Sequence, residues 1–172
     1  MTVLRIVAFG AAALLLLAFL AGSFLPSAWQ VDRTTSIAAS PAAVFVEIAD
    51  AHALARWFPP PSVTDRGPVA AQDSDLVTWT APRGATCALR ILARAPHERV
   101  ELELVRSGVS ERATISIAPE GTGTRVHWQQ AGDVGRNPVM RACRTLLAAR
   151  AASNVEAVLA RLRTALEQSA AR

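Results

Sequence analysis

The sequence predicts an α+β domain, a curved antiparallel sheet covered on one face by a single long C-terminal helix, behind an apolar N-terminal segment. Three observations carry this. Five segments between residues 76 and 130 alternate with period two and are joined by short connections bearing Pro, Gly or Ser, the pattern of an antiparallel meander. Residues 138–169 place Met140, Cys143, Leu147, Ala151, Val155, Val158, Leu162 and Leu166 at three- and four-residue intervals, one apolar stripe along one helix. Residues 6–25 form a run of twenty without a charge. A sheet with one wet face must cover the other, and only the last helix is long enough to do so.

In chain order, the uncharged run comes first. As a helix it rises about 30 Å, enough to cross a bilayer core, and it exceeds the roughly 7–15 apolar residues of a secretory signal. Ala21-Gly22-Ser23 keeps a cleaved signal open as the alternative. The expected organisation is therefore 1–29, a transmembrane anchor or uncleaved signal, and 30–172, one domain of ordinary size. Arg5 is the only charge ahead of the run, and Asp32 and Arg33 cancel beyond it. That bias favours a cytoplasmic N-terminus, hence a single-pass membrane protein with its domain on the periplasmic or extracellular side.

Residues 31–39 are rich in β-branched side chains and predict the first strand. Ser40-Pro41 supplies an N-cap followed by proline at the first helical position, and Val44, Phe45 and Ile48 give a helical stripe. A second short helix over 51–57 ends before Pro59-Pro60-Pro61, where neither helix nor central strand continues. Strands are predicted over 76–80, 85–95, 99–106, 111–118 and 124–130. The plainest is VELELVR, in which Val100, Leu102 and Leu104 alternate with Glu101 and Glu103. Ala113, Ile115 and Ile117 repeat the pattern. Cys87 and Cys143 are expected to be free, buried and apolar in behaviour rather than bridged.

The net charge of +4 is unevenly distributed: residues 1–135 carry 11 Arg against 12 acidic residues, and 136–172 carry 7 Arg against 2. The C-terminal arginines lie around a helix without interleaved aromatics, so a solvated face is expected and nucleic acid is not. GTGT at 121–124 lacks the lysine of a phosphate loop and leads into a strand, so its glycines serve a hairpin. His127 has no nearby metal-ligand partners in sequence and is expected on the solvent side. No metal or cofactor is expected. Neither a Gly-x-Ser-x-Gly elbow nor a Cys-His pair at a family spacing occurs, and Glu47, Asp50, Glu101 and Glu103 are expected to be solvated. Arg150 and Asn154, one turn apart near the inner stripe, are the polar groups placed to meet a ligand headgroup.

The run LPSAWQVDRTTSIAASPAAVFVEIADAHALARWFPP, the strands that follow, APEGTGTRVHWQQAGD and the final helix resemble the SRPBCC superfamily. These are START/Bet v 1-like helix-grip domains that include polyketide cyclase/dehydrase and lipid-transport proteins, here of the bacterial branch with an N-terminal membrane segment. The match spans about 31–165, carried by the Ser-Pro-x-x-Val-Phe helix, Trp57 closing the second helix, Trp79 and the Gly-Thr-x-Val-x-Trp hairpin. The chain departs from the family where a tryptophan-rich stretch gives way to the proline run. The resemblance implies a cavity between sheet and long helix that binds a hydrophobic small molecule or lipid. The inward faces of sheet and helix offer Trp57, Trp79, Leu89, Ile91, Leu102, Leu104, Ile115, Trp128, Met140, Leu147, Ala151 and Asn154 as ligand-binding residues. A membrane-tethered binding or carrier module is the first expectation. A polyketide cyclase or dehydratase, which needs a buried acid or base, and a pocketless envelope adaptor are the alternatives.

Overall fold

The computed structural model describes residues 22–59, 69–70, 75–81, 84–106 and 109–170, together with residues 6, 7, 10, 13, 16, 17, 19 and 20. Seven strands form one antiparallel sheet: β1 (Ala28–Ile37), β2 (Val69–Ala70), β3 (Leu76–Thr80), β4 (Thr86–Ala95), β5 (Arg99–Arg106), β6 (Val109–Glu120) and β7 (Gly123–Asp133). Their order is β1-β7-β6-β5-β4-β3-β2, so the first strand closes against the last. The helices are α1 (Pro41–Ala49), α2 (Ala51–Trp57), α3 (Pro138–Ala142) and α4 (Arg144–Ala170). This is the α+β helix-grip arrangement, with α4 along β1 and touching α1 and α2, α1 against β5, β6 and β7, and α2 against β3. Covering the sheet is thus shared between α4 and the two short helices, where the sequence assigned it to the last helix alone.

Local chemistry sets the element ends. Ser40 Oγ accepts the Ala43 N–H at 3.3 Å, with Pro41 at the first helical position. Asp50 ends α1 and caps α2, accepting the Ala53 N–H at 2.7 Å; capping carboxylates of this kind contribute about 1 kcal/mol. In the β6–β7 hairpin Glu120 pairs with Gly123 and Gly121 takes φ 57°, a left-handed turn conformation that glycine adopts without strain. Gly123 is needed for closeness, since a Cβ there would lie 2.4 Å from the Ile37 carbonyl oxygen. The glycines of GTGT serve the hairpin.

The final helix is not continuous. Asn137 Oδ1 caps α3 through the Val139 and Met140 N–H groups, and Cys143 (φ −85°, ψ 0°) ends it before α4 begins. The break turns the front of the stripe outward. Met140 is 41 % exposed, and Cys143 and Leu147 are half-buried, whereas Ala151, Val155, Val158, Leu162 and Leu166 are buried as the spacing predicts. Cys87 is buried, and both cysteines are free. His127 lies on the solvent face, its Nε2 2.6 Å from Asp32 Oδ1.

The N-terminal expectation is corrected. Among the described residues no helix is long and apolar enough to cross a membrane, so the single-pass placement drawn from 6–25, with its domain on the periplasmic or extracellular side, is not supported. Residues 8, 9, 11, 12, 14, 15, 18 and 21 of that run lie outside the described residues. The end of the run packs on the domain. Gly22 is buried so close to Pro138 that a Cβ would lie 2.2 Å from its carbonyl oxygen, and Arg141 Nη1 donates to the Ser23 carbonyl at 3.0 Å.

Candidate functional site

The inward faces of the strands converge on an aromatic cluster centred on Phe58. Its ring lies 5.9 Å from those of Trp57 and Trp79, both edge-on, and 6.0 Å from that of Trp128, stacked at 21°. Leu89, Leu102 and Ile115 surround the cluster with no exposure, and Ile91 is buried with them. Such aromatic contacts contribute roughly 0.5–1.5 kcal/mol each beyond the area they bury. Phe58 reaches this position because α2 ends on it, its N–H still donating to the Leu54 carbonyl at 2.9 Å, while Pro59 stops the helix.

Trp57 and Pro59 line an open cleft of about 610 Å³, completed by Glu47, Arg56, Arg161, Thr164, Ala165, Gln168 and Ser169. One wall is the α1–α2 corner and the other the C-terminal half of α4. The Trp57 indole is oriented by its N–H, which donates to the Glu47 backbone carbonyl at 3.2 Å. Glu47 itself is only 8 % exposed, and its carboxylate is approached by Arg56 Nη2 at 3.3 and 3.4 Å. Arg161 crosses from α4 and donates from Nε to the Trp57 carbonyl at 2.9 Å and from Nη2 to the Phe58 carbonyl at 2.8 Å. A cation on the last carbonyls of a helix is favourably placed. Burial opposes its charge and lowers the guanidinium pKa from its ordinary value, although arginine stays cationic in neutral water.

The predicted binding residues therefore separate into groups. Trp57 alone of them lines the cleft, although it is itself only 5 % exposed. Trp79, Leu89, Ile91, Leu102, Ile115, Trp128 and Ala151 are buried, and Leu104 packs half-buried against them. Leu147 is half-buried, and Asn154 and Arg150 are exposed, so the structure puts these polar groups on solvent and not inside the domain.

Several residues escaped sequence reasoning. Glu47 was assigned to the surface, yet it stands three residues after Val44 and beside Ile48, both fully buried. A carboxylate inside an apolar stripe was the available signal. Arg161 carries a similar one, three residues after Val158 and next to Leu162. Phe58 carried a weak one, standing four residues after the buried Leu54 at the end of α2. On the sheet, Gln130 is buried; its Oε1 accepts from the Trp128 indole at 3.2 Å, and its Nε2 donates to Glu111 at 2.6 Å. Alternation from Ala113, Ile115 and Ile117 places Glu111 on the same inward face, where sequence reading had found no acid. Among the described residues no group of three or more His, Cys, Asp or Glu side chains is arranged to hold a metal ion.

The fold recurs widely at low identity. A protein of unknown function, SA2116 from Staphylococcus aureus, matches with TM-score 0.69 at 12 % identity, covering 86 % of this chain and 98 % of that one. Protein CV1439 from Chromobacterium violaceum matches at 0.59 and 19 %, covering 80 % and 96 %. CalU16 from Micromonospora echinospora matches at 0.55 and 16 %, covering 81 % and 76 %. At these identities the likeness concerns the fold. A search of curated proteins finds no match. The sequence model of one family, polyketide cyclase / dehydrase and lipid transport, matches residues 28–167, which hold the whole sheet, the cleft's lining from Glu47 to Ala165 and the aromatic cluster behind it. The chain belongs to the polyketide cyclase / dehydrase and lipid transport family.

Proposed function

We propose that this protein binds a hydrophobic small molecule without covalent change, in the cleft between α2 and the C-terminal half of α4. The observation that carries the reading is the cleft itself: about 610 Å³, within the range of small-molecule sites, with an indole for one wall. The family description, which names lipid transport, supports it. Burial of ligand surface against Trp57, Pro59 and Ala165 supplies the driving force at roughly 25 cal/mol per Å². The inner residues Trp79, Leu102, Trp128 and Ala151 are buried and do not line this cleft, so the proposed site is the cleft itself.

The test uses the four tryptophans, Trp29, Trp57, Trp79 and Trp128. Titration with 1-decanol and 2-naphthylmethanol should shift the emission of the wild-type protein. Ala165→Trp, which fills the cleft from a half-buried position, should abolish the response while leaving the circular dichroism spectrum unchanged. A wild-type protein that responds to neither probe overturns the reading.

A second reading, a cyclase or dehydratase acting on a polyketide-like substrate, is favoured by one observation, the nearly buried Glu47 carboxylate in the cleft wall. A carboxylate shielded in this way is suited to proton transfer. Under this reading Glu47→Gln removes turnover of a polyketide-like substrate and leaves its binding in place.

A further inference from the structure

We infer that the cleft selects an apolar molecule bearing one carboxylate, with the anionic end on Arg161 and Arg56 and the apolar body along Trp57, Pro59 and Ala165. This rests on the binding function proposed above and adds the ligand's charge. Two guanidinium groups and one carboxylate line the cleft, a formal surplus of one positive charge that a monoanion neutralises.

Arg161 is the stronger of the two anchors. It is half-buried and its charge is opposed by desolvation, yet no carboxylate lies within ion-pair distance of it among the described residues. Its Nε and one Nη2 hydrogen are spent on the Trp57 and Phe58 carbonyls, which fixes the plane of the guanidinium. Nη1 meets no acceptor among the described residues, and Arg161 is one of the residues lining the cleft. Arginine's planar fork suits a carboxylate, and a pre-oriented fork loses little side-chain entropy on binding one. Arg56 adds a second, more exposed cation whose only acidic partner among the described residues is Glu47 at 3.3 Å. Glu47 stands against the ligand's charge and holds Arg56 at the same time, so it limits affinity for an anion without abolishing it.

The experiment is fluorescence titration of the full chain with matched pairs: decanoate against 1-decanol, and 2-naphthoate against 2-naphthylmethanol. Because a charge-assisted hydrogen bond outweighs a neutral one, the carboxylates should bind about tenfold tighter than the alcohols. Arg56→Gln and Arg161→Gln should bring the acid-to-alcohol ratio towards one. Glu47→Gln should raise the acid-to-alcohol ratio several-fold, in the direction opposite to the arginine variants. Should Arg161→Gln fail to fold, having lost its bonds to α2, the opposed changes in Arg56→Gln and Glu47→Gln decide alone. Preference for decanoate over naphthoate assigns a lipid acid, and the reverse an aromatic acid. Equal binding of acid and alcohol by the wild type overturns the inference and leaves hydrophobic binding standing. No response to any of the four probes overturns both.

Discussion

The interior around Phe58 and the cleft beyond Trp57 share a short run of chain and differ in almost everything else. Inside, Phe58, Trp79 and Trp128 fill the space with rings and Leu89, Leu102 and Ile115 close around them, none more than 8 % exposed. Outside, Trp57 and Pro59 face an open volume bordered by two arginines and a carboxylate. The difference separates two duties. Close-packed apolar groups hold the fold together and tolerate little change, while the cleft carries charged groups at its border, Arg56 exposed and Arg161 half-buried, that are free to meet a ligand. One ring, that of Trp57, belongs to both, lying 5.9 Å from the Phe58 ring and lining the cleft.

The comparison is broken most directly by charging the interior. Leu162 has no exposure, so Leu162→Asp buries a charge with no partner and should cost about 4 kcal/mol or more, enough to prevent folding. Leu147→Asp lies in the same stripe by spacing but is half-buried, and should cost only about 1–2 kcal/mol. Urea denaturation checks both. Equal losses would place the start of α4 in the core and undo the distinction between its two halves.

Phe58→Ala comes next. Removing a buried phenyl ring typically costs about 3–5 kcal/mol, and the vacated space lies beside Trp57, whose indole lines the cleft. The functional outcome is of opposite sign: the joined volume should admit naphthalene derivatives more readily than the wild type, with a larger change in tryptophan emission. A variant destabilised to the same extent but binding no better would mean that Phe58 only packs and does not separate the two regions.

Much of the fold was legible because alternation and helical spacing report which face is buried. Val100 and Leu102, Ala113 to Ile117, and Val155 to Leu166 all read correctly. The break at Cys143 was not legible, since Met140, Cys143 and Leu147 keep the helical interval across it. Nor was the cleft, because its chemistry comes from charged residues that sequence reasoning assigns to solvent. Glu47 and Arg161 sit within apolar stripes, but periodicity does not tell a buried charge from one at the margin. Phe58 is placed by the end of a helix, and the position of a helix end fixes a side chain only when the partner surface is known. The N-terminal run misled for a related reason: lack of charge describes what a segment can enter, and not what Gly22 and Ser23 pack against.

The smallest effect sharpens the comparison from outside both regions, at Asp32 on the wet face of the sheet and at Asp75 just ahead of β3. Asp32 is held below its ordinary pKa of 3.8, first by the hydrogen bond from His127 and then by that from Gln129. Asp75 is held below the same value by hydrogen bonds from Arg94. In the unfolded chain both carboxyls return to that ordinary value, so the folded state binds protons less readily. Their contribution is then fully present above about pH 5 and is lost as pH falls through 4 towards the lowered folded values. Both side chains are 50 % exposed, so solvent screening keeps each contribution below about 1 kcal/mol. Thermal unfolding should show a midpoint that is flat between about pH 5 and 7 and declines below about pH 4, with Asp32→Asn and Asp75→Asn each flattening part of the decline. Binding of 1-decanol, which has no charge to titrate, should stay unchanged in both variants, because neither carboxylate lines the cleft. A loss of decanol affinity in Asp32→Asn would tie the wet face to the cleft and show that the two regions are not independent of the sheet's outer surface.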